Sequence, residues 1–200
     1  MSLCRIVFCI LAFSLVGCGG NSPKADVVAT TGMIADAAQR ISGGKIRVEC
    51  LMGPGVDPHK FQPSASDLGK LTSAKLILYN GLHLEGKMVD VLEKARNGQR
   101  SATVTSSLDH KKDLRKADVD GGEHDPHIWF DVRLWTKCVE TIREELCTTF
   151  PEHALEFRKN ASEYLAELKK LDEEVRAKAQ SLPADKRILV TSHEDRKSVV

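Results

Sequence analysis

The stretch Ala74-Lys75-Leu76-Ile77-Leu78-Tyr79 is a nearly continuous apolar run of strand length, and the predicted fold depends on it. Strands of a parallel sheet are buried on both faces, so they read as apolar runs rather than as alternating patterns. Further strands are predicted at residues 27–30, 46–51 and 102–104, and stretches with helical apolar spacing lie between them at 34–41 and 86–95. Since strands and helices alternate along the chain, we expect an α/β fold with a parallel sheet.

The second half of the chain is predicted to contain two long helices. Asp131 is placed to cap a helix that runs to about residue 150, whose inner face carries Trp135, Cys138, Val139, Ile142 and Leu146. Pro151 opens a second helix of about residues 151–181, because proline is tolerated in the first helical turn. The packed face of that helix is predicted to be Ala161, Leu165, Leu168, Leu171, Val175 and Ala179. Another strand is predicted at residues 187–191.

The first 17 residues are typical of an export signal. Arg5 is their only charged residue, and the apolar stretch at 6–16 is too short to span a bilayer. Residues 15–18, Leu-Val-Gly-Cys, resemble the lipobox of bacterial lipoproteins, in which Cys18 would be lipidated and would become the mature N-terminus. Residues 18–25 would then be a tether, and a lipid chain would hold the protein on a membrane without spanning it. The alternative is a buried N-terminal helix or strand.

Composition and motifs argue against several other classes of protein. The 29 Lys and Arg residues stand against 28 Asp and Glu residues, so the chain offers no electrostatic case for binding nucleic acid. It contains neither a Gly-x-Ser-x-Gly elbow nor a glycine-rich phosphate loop. Outside the N-terminal segment, Cys50, Cys138 and Cys147 are an odd number of cysteines, which does not indicate a disulfide framework.

One five-residue pattern occurs twice, as Asp57-Pro58-His59-Lys60-Phe61 and as Asp125-Pro126-His127-Ile128-Trp129. A third histidine, His193, follows the last predicted strand. Three imidazoles on loops around a sheet can converge on one divalent metal ion; imidazole suits zinc and accepts manganese with help from carboxylates. Asp57 and Asp125 could each orient an imidazole through a hydrogen bond.

Spacing alone leaves open the alternative that these three histidines are solvated loop side chains. The remaining histidines carry no such pattern, and we expect them at the surface: His83, His110, His124 and His153. Among these four, His124 is the one most open to exception.

Five stretches together resemble the metal-binding lipoproteins of bacterial zinc/manganese ABC importers, some members of which are described as adhesins. They are VVATTGMIADAAQRI (27–41), LMGPGVDPHKFQPSASDLGKL (51–71), AKLILYNGLHLEGKM (74–88), HDPHIWFDVRLW (124–135) and ILVTSH (188–193). The resemblance implies two α/β lobes joined by one long helix, with the metal ion held between the lobes. It implies His59 and His127 of the first lobe and His193 of the second lobe as metal ligands, and a fourth, carboxylate ligand from farther into the second lobe.

On this basis the chain divides into a signal peptide (1–17), a lipidated tether (18–25), an N-terminal metal-binding lobe (26–150), a connecting helix (151–182) and an incomplete start of the C-terminal lobe (183–200). Most of the second lobe would be missing. Residues 194–200 depart from the family pattern, which usually continues with Asp and an aromatic-rich segment, and we interpret them as the product of a frameshift or an early stop.

The choice of metal stays open between zinc and manganese. Residues 109–123 hold a single histidine, His110, which argues against relatives that carry a long His-rich loop and specialise in zinc. His rather than Glu at position 193 favours zinc or mixed specificity. Binding is expected to weaken as pH falls, because a protonated imidazole cannot ligate a metal ion.

The function implied by the resemblance is capture of Zn²⁺ or Mn²⁺ in the periplasm or at the cell surface. A monomeric, lipid-anchored protein would pass the ion to an ABC permease, with no catalysis and no nucleic-acid partner. Three alternatives remain: a surface adhesin with a structural metal, a non-functional fragment of the importer component, and a metal-dependent hydrolase with Glu194 as general base.

Overall fold

The computed structural model describes residues 24–95, 100–116 and 123–187. The predicted signal peptide, the lipidation site Cys18, residues 188–191 of the last predicted strand and the candidate ligand His193 lie outside these ranges. The division of the chain into a lobe, a connecting helix and the start of a second lobe therefore stays a prediction.

Four parallel strands form one sheet: β1 (Val27–Thr31), β2 (Val48–Met52), β3 (Leu76–Tyr79) and β4 (Arg100–Thr103). Their order across the sheet is β2-β1-β3-β4, and the central strand β1 pairs Val27 with Val48 on one side and with Leu76 on the other. Every residue of β1 and β3 is buried, because these two strands have neighbours at both edges and helices on both faces. The predicted α/β fold with a parallel sheet is confirmed.

Five α-helices accompany the sheet in this part of the chain: α1 (Gly32–Ser42), α2 (Ala65–Ser73), α3 (Val89–Ala95), α4 (Val132–Thr149) and α5 (Ala154–Gln180). Local sequence sets their ends. Gly43 ends α1 in the left-handed conformation that glycine adopts without strain. Ser64 and Asp67 form a reciprocal capping box at the start of α2. The Asp131 side chain caps α4 by accepting the N–H groups of Arg133 and Leu134.

Successive residues of the strands point to opposite faces and build two cores. Ala29 and Leu78 face a core formed with α1, α4 and the first half of α5, and the predicted inner face of α4 lies in it: Trp135, Cys138, Val139, Ile142 and Leu146. Val28 and Ile77 face a smaller core that includes Leu71 of α2. Cys138 and Cys147 are buried in the structure, and Cys50 is half-buried.

The packed face predicted for α5 is correct only in its first half. Ala161 and Leu168 are buried, whereas Leu171 is 46% and Val175 42% exposed. The reason is the difference in helix length. The helices α4 and α5 are joined by a short connection and pack against each other, and the 18 residues of α4 cannot cover the 27 residues of α5. Of the helices that the structure describes, none combines the length and apolar character required to cross a bilayer.

Candidate metal centre

The two repeated Asp-Pro-His motifs lie on loops at the same edge of the sheet. His59 follows β2, and His127 lies on the segment between β4 and α4. From β1 the chain goes first to β2 on one side and then to β3 on the other, so the carboxyl ends of β1 and β3 form a topological switch point. Loops that leave neighbouring strands in opposite directions open a crevice at such a point, and ligands of open α/β sheets bind there.

The structure brings the two imidazoles into direct proximity. The Nε2 atoms of His59 and His127 are 3.3 Å apart, and the rings meet edge to face with their centroids 5.3 Å apart. Two imidazoles on one tetrahedral Zn²⁺, each with a Zn–N bond of about 2.0–2.1 Å, would hold their nitrogens about 3.3–3.4 Å apart. The observed separation therefore equals one edge of a tetrahedral zinc site.

His127 is oriented by its own motif. Asp125 Oδ1 lies 2.8 Å from Nδ1 of the His127 ring and accepts the backbone N–H of His127 at 3.0 Å. A carboxylate can only accept, so Nδ1 carries the proton in the neutral ring and the Nε2 lone pair faces His59. His127 is 7% exposed, and Trp129 packs against its ring with centroids 5.3 Å apart. This histidine is held in one rotamer and one tautomer suited to a metal ligand.

His59 is held through its backbone. Asp57 Oδ1 accepts the His59 backbone N–H at 3.0 Å, and Asp57 Oδ2 lies 3.3 Å from Nζ of Lys60. These donors outweigh the desolvation that opposes them, and the pKa of Asp57 is lowered, which keeps the carboxylate charged. Asp57 thus organises the turn that carries His59, and Asp125 in addition contacts the imidazole of His127.

The centre formed by the described residues consists of two imidazoles. Within residues 24–95, 100–116 and 123–187, no group of three or more His, Cys, Asp and Glu side chains is arranged to hold a metal ion. His193, the third candidate ligand, lies outside those ranges. The structure thus brings two of the three predicted ligands together.

A buried polar network lies beneath the two histidines, and the sequence analysis did not assign it. Glu85 is 1% exposed; its Oε1 accepts from Thr30 Oγ1 at 2.8 Å and from the Asn80 backbone N–H at 2.7 Å, and its Oε2 accepts from the Gly81 N–H at 3.1 Å. Burial raises the pKa of Glu85, and these donors act in the opposite direction. The signal in the sequence was the presence of Asn80 and Glu85 in the short segment directly after the apolar strand β3.

The other four histidines differ in their exposure to solvent. His83 and His110 are exposed, and His153 is half-buried. His124 is the exception that the sequence allowed for: it is half-buried, and its ring meets that of His110 edge to face at 5.0 Å. A cleft of about 420 Å³ lies beside the centre, lined by Gly32, Met33, Asp36, Trp129, Trp135 and Tyr164.

Comparison with known proteins shows which family the chain belongs to. The model of the ZnuA family, described as the periplasmic component A of a zinc-uptake complex, matches residues 27–196. The chain is 43% identical over 188 residues to the manganese-binding lipoprotein MntA of Bacillus subtilis, and 43% identical over 199 residues to the zinc-binding protein TroA of Treponema pallidum. These alignments cover 91% and 95% of this chain, but only 61% and 64% of those relatives.

A solved structure agrees with the sequence comparison. The periplasmic zinc-binding protein TroA from Treponema pallidum superposes with a TM-score of 0.80 at 46% identity, covering 86% of this chain and 61% of that one. The chain thus spans a little over three fifths of the length of the relatives that it resembles.

Proposed function

The chain belongs to the family of periplasmic A components of zinc-uptake complexes, and we propose that it captures Zn²⁺ or Mn²⁺ outside the cytoplasmic membrane and delivers the ion to an ABC permease. The observation that carries this proposal is the 3.3 Å separation between Nε2 of His59 and Nε2 of His127. The His127 imidazole is buried and oriented by Asp125, and the His59 imidazole is half-buried. Two imidazoles at this short separation match the ligands that zinc prefers.

Capture is a ligand exchange in which no covalent bond is made or broken, so the proposed activity is binding and not catalysis. The hydrated ion loses water molecules and gains Nε2 of His59 and Nε2 of His127. His193 supplies a third imidazole in this proposal, and a carboxylate completes the site. Ion binding with deprotonated imidazoles releases protons from any that were charged, so affinity falls as the solution becomes more acidic.

The identity of the ion is proposed as zinc or manganese. The two relatives with 43% identity are named for manganese and for zinc, respectively. A site that combines imidazole with carboxylate oxygen accommodates both ions. These names describe metal binding, and they favour metal capture over the adhesin alternative.

The location of the protein follows from the same proposal. Cys18 would carry the lipid that anchors the protein at the outer face of a membrane, and the relative from Bacillus subtilis is named a lipoprotein. The protein would act there as a monomer that meets the permease of its importer.

Growth under metal limitation tests the delivery step. Cells that lack the gene should grow poorly in medium depleted of zinc and manganese, and the wild-type gene should restore growth, whereas the His59→Ala, His127→Ala double variant should not. Equal restoration by the double variant, with both proteins present in equal amounts, would overturn the proposed function.

A further inference from the structure

We propose that Asn80 and Glu85 are positioning residues that lock the loop of His59 to the loop of His127, so that the two Nε2 atoms are held at metal-binding separation before the ion arrives. This inference rests on the proposed function, because it concerns the same site. It assigns a role to the stretch of residues 80–86, which the metal-binding proposal does not use.

The need for such a lock follows from the topology. His59 follows β2 and His127 follows β4, and these two strands lie at opposite edges of the sheet with β1 and β3 between them. No ladder of backbone hydrogen bonds joins β2 to β4 in this strand order. The 3.3 Å separation of the imidazoles must therefore be maintained by contacts that cross the carboxyl end of the sheet.

Glu85 provides the first part of that crossing. Its carboxylate receives the Thr30 hydroxyl from the end of β1 and the N–H groups of Asn80 and Gly81 from the exit of β3. All three partners donate, and the two carboxyl oxygens of Glu85 accept from them. Glu85 is buried, so water cannot readily take the place of a lost hydrogen bond partner. These bonds therefore fix the turn from Asn80 to Gly86 to the central strands.

Asn80 extends the network to the loop of His127. Its side-chain Nδ2 donates to the carbonyl oxygen of Pro126 at 3.1 Å and to that of Gly81 at 3.0 Å. Pro126 directly precedes His127 in the chain. The carbonyl oxygen of Asn80 accepts from Thr105 Oγ1 at 2.7 Å, which ties in the segment that follows β4. Asn80 is 1% exposed, so these bonds form in a site shielded from water.

Gly86 completes the link on the side of His59. A Cβ atom at position 86 would lie 3.1 Å from the carbonyl oxygen of His59, so the turn that Glu85 fixes rests directly against the backbone of the His59 loop. One continuous set of contacts therefore runs from His59 through Gly86, Glu85 and Asn80 to Pro126. Such pre-organisation raises affinity because the ion does not have to order its own ligands.

The test compares two asparagines that make the same kind of bond. Asn80→Ala removes the amide that holds the Pro126 carbonyl, and Asn160→Ala removes an amide that donates to the carbonyl of Ile41 at 3.0 Å, between α5 and α1 and outside the network. Zn²⁺ affinity is measured by competition with a chelator, and stability of the metal-free chain by urea unfolding. We expect Asn80→Ala to weaken Zn²⁺ binding about 10–100-fold, as for other residues that orient metal ligands, and Asn160→Ala to leave it within about twofold.

A second pair of variants covers the case in which Asn80→Ala does not fold. Thr30→Val keeps the shape of the side chain and removes the hydroxyl that Glu85 accepts, while Thr30→Ser retains that hydroxyl. The inference predicts weaker Zn²⁺ binding in Thr30→Val and recovery in Thr30→Ser. The absorption of bound Co²⁺ should change in Thr30→Val as well, since loss of stability alone does not alter the coordination of a bound ion.

Different results would overturn the positioning role and the metal site. If His127→Ala weakens Zn²⁺ binding but Asn80→Ala and Thr30→Val bind as tightly as the wild type, the positioning role is wrong and the metal site stands. If the wild-type chain and His127→Ala bind Zn²⁺ equally well, the proposed function fails, and the positioning role fails with it.

Discussion

One oxygen of Asp125, Oδ1, contacts both the backbone N–H and the ring Nδ1 of His127, at 3.0 Å and 2.8 Å. The motif Asp-Pro-His therefore contains both the proposed metal ligand and the group that sets its tautomer. Proline between them has a fixed φ, so the carboxylate and the imidazole start from a restricted relative position. In the first motif, Asp57 Oδ1 likewise accepts the backbone N–H of His59, at 3.0 Å.

Asp125→Asn is predicted to weaken Zn²⁺ binding about 10–100-fold, because an amide holds the Nδ1–H of His127 less strongly than a carboxylate and can present the wrong group to it. Chelator competition measures the effect. Asp172→Asn is the matched control, since Asp172 is a half-buried carboxylate that pairs with Arg176 within α5. Equal affinities of the two variants would show that Asp125 does not act through His127.

Asp113 is predicted to stabilise the fold in a pH-dependent way. The hydrogen bond from Lys137 Nζ, 2.6 Å long, holds the pKa of Asp113 below its ordinary value of 3.8. A lowered pKa in the folded state means that the stabilisation is present above the ordinary value and is lost as pH falls through the lowered one. Asp113→Asn should reduce the free energy of unfolding in urea by about 0.2–1 kcal/mol at neutral pH. The same loss at a pH below the folded pKa would contradict this assignment.

Gly81 is predicted to tolerate alanine less well than Gly44. Both have φ of +81°, a left-handed conformation in which a side chain is strained. Each replacement by alanine should therefore lower the free energy of unfolding by about 1–2 kcal/mol. A Cβ at Gly44 would meet nothing within 4 Å, whereas a Cβ at Gly81 would collide with Cγ2 of Thr103. Urea unfolding should therefore show an additional loss of about 1–3 kcal/mol in Gly81→Ala. Combining it with Thr103→Ser, which removes Cγ2, should recover part of that loss; no recovery would mean that the collision is not its source.

Most of the fold could be predicted from the sequence because its determinants are local. The apolar run at 74–79 contains β3, the cap Asp131 marks the start of α4, and Gly43 marks the end of α1. The exposure of α5 from Leu171 onward could not be predicted from periodicity. The apolar spacing of one helix carries no information about the length of the helix that packs against it.

The candidate site was predictable in part for the same reason. A repeated motif identified His59 and His127, and parallel strands bring the loops that follow them to one edge of the sheet. The supporting network could not be read from the chain, because Thr30, Asn80 and Glu85 are polar residues in strand ends and turns, where polar residues are common. Only the strand order shows that they lie between the two histidines.

Calorimetric titration of the chain with Zn²⁺ tests whether His59 and His127 bind the metal ion. The wild type and the His59→Ala, His127→Ala and His110→Ala variants are compared, His110 being an exposed loop histidine outside the pair of imidazoles. We expect His59→Ala and His127→Ala each to lower the affinity by at least about tenfold, since each removes a proposed ligand, while His110→Ala binds like the wild type. Unchanged affinity in both His59→Ala and His127→Ala would contradict the assignment of the metal centre.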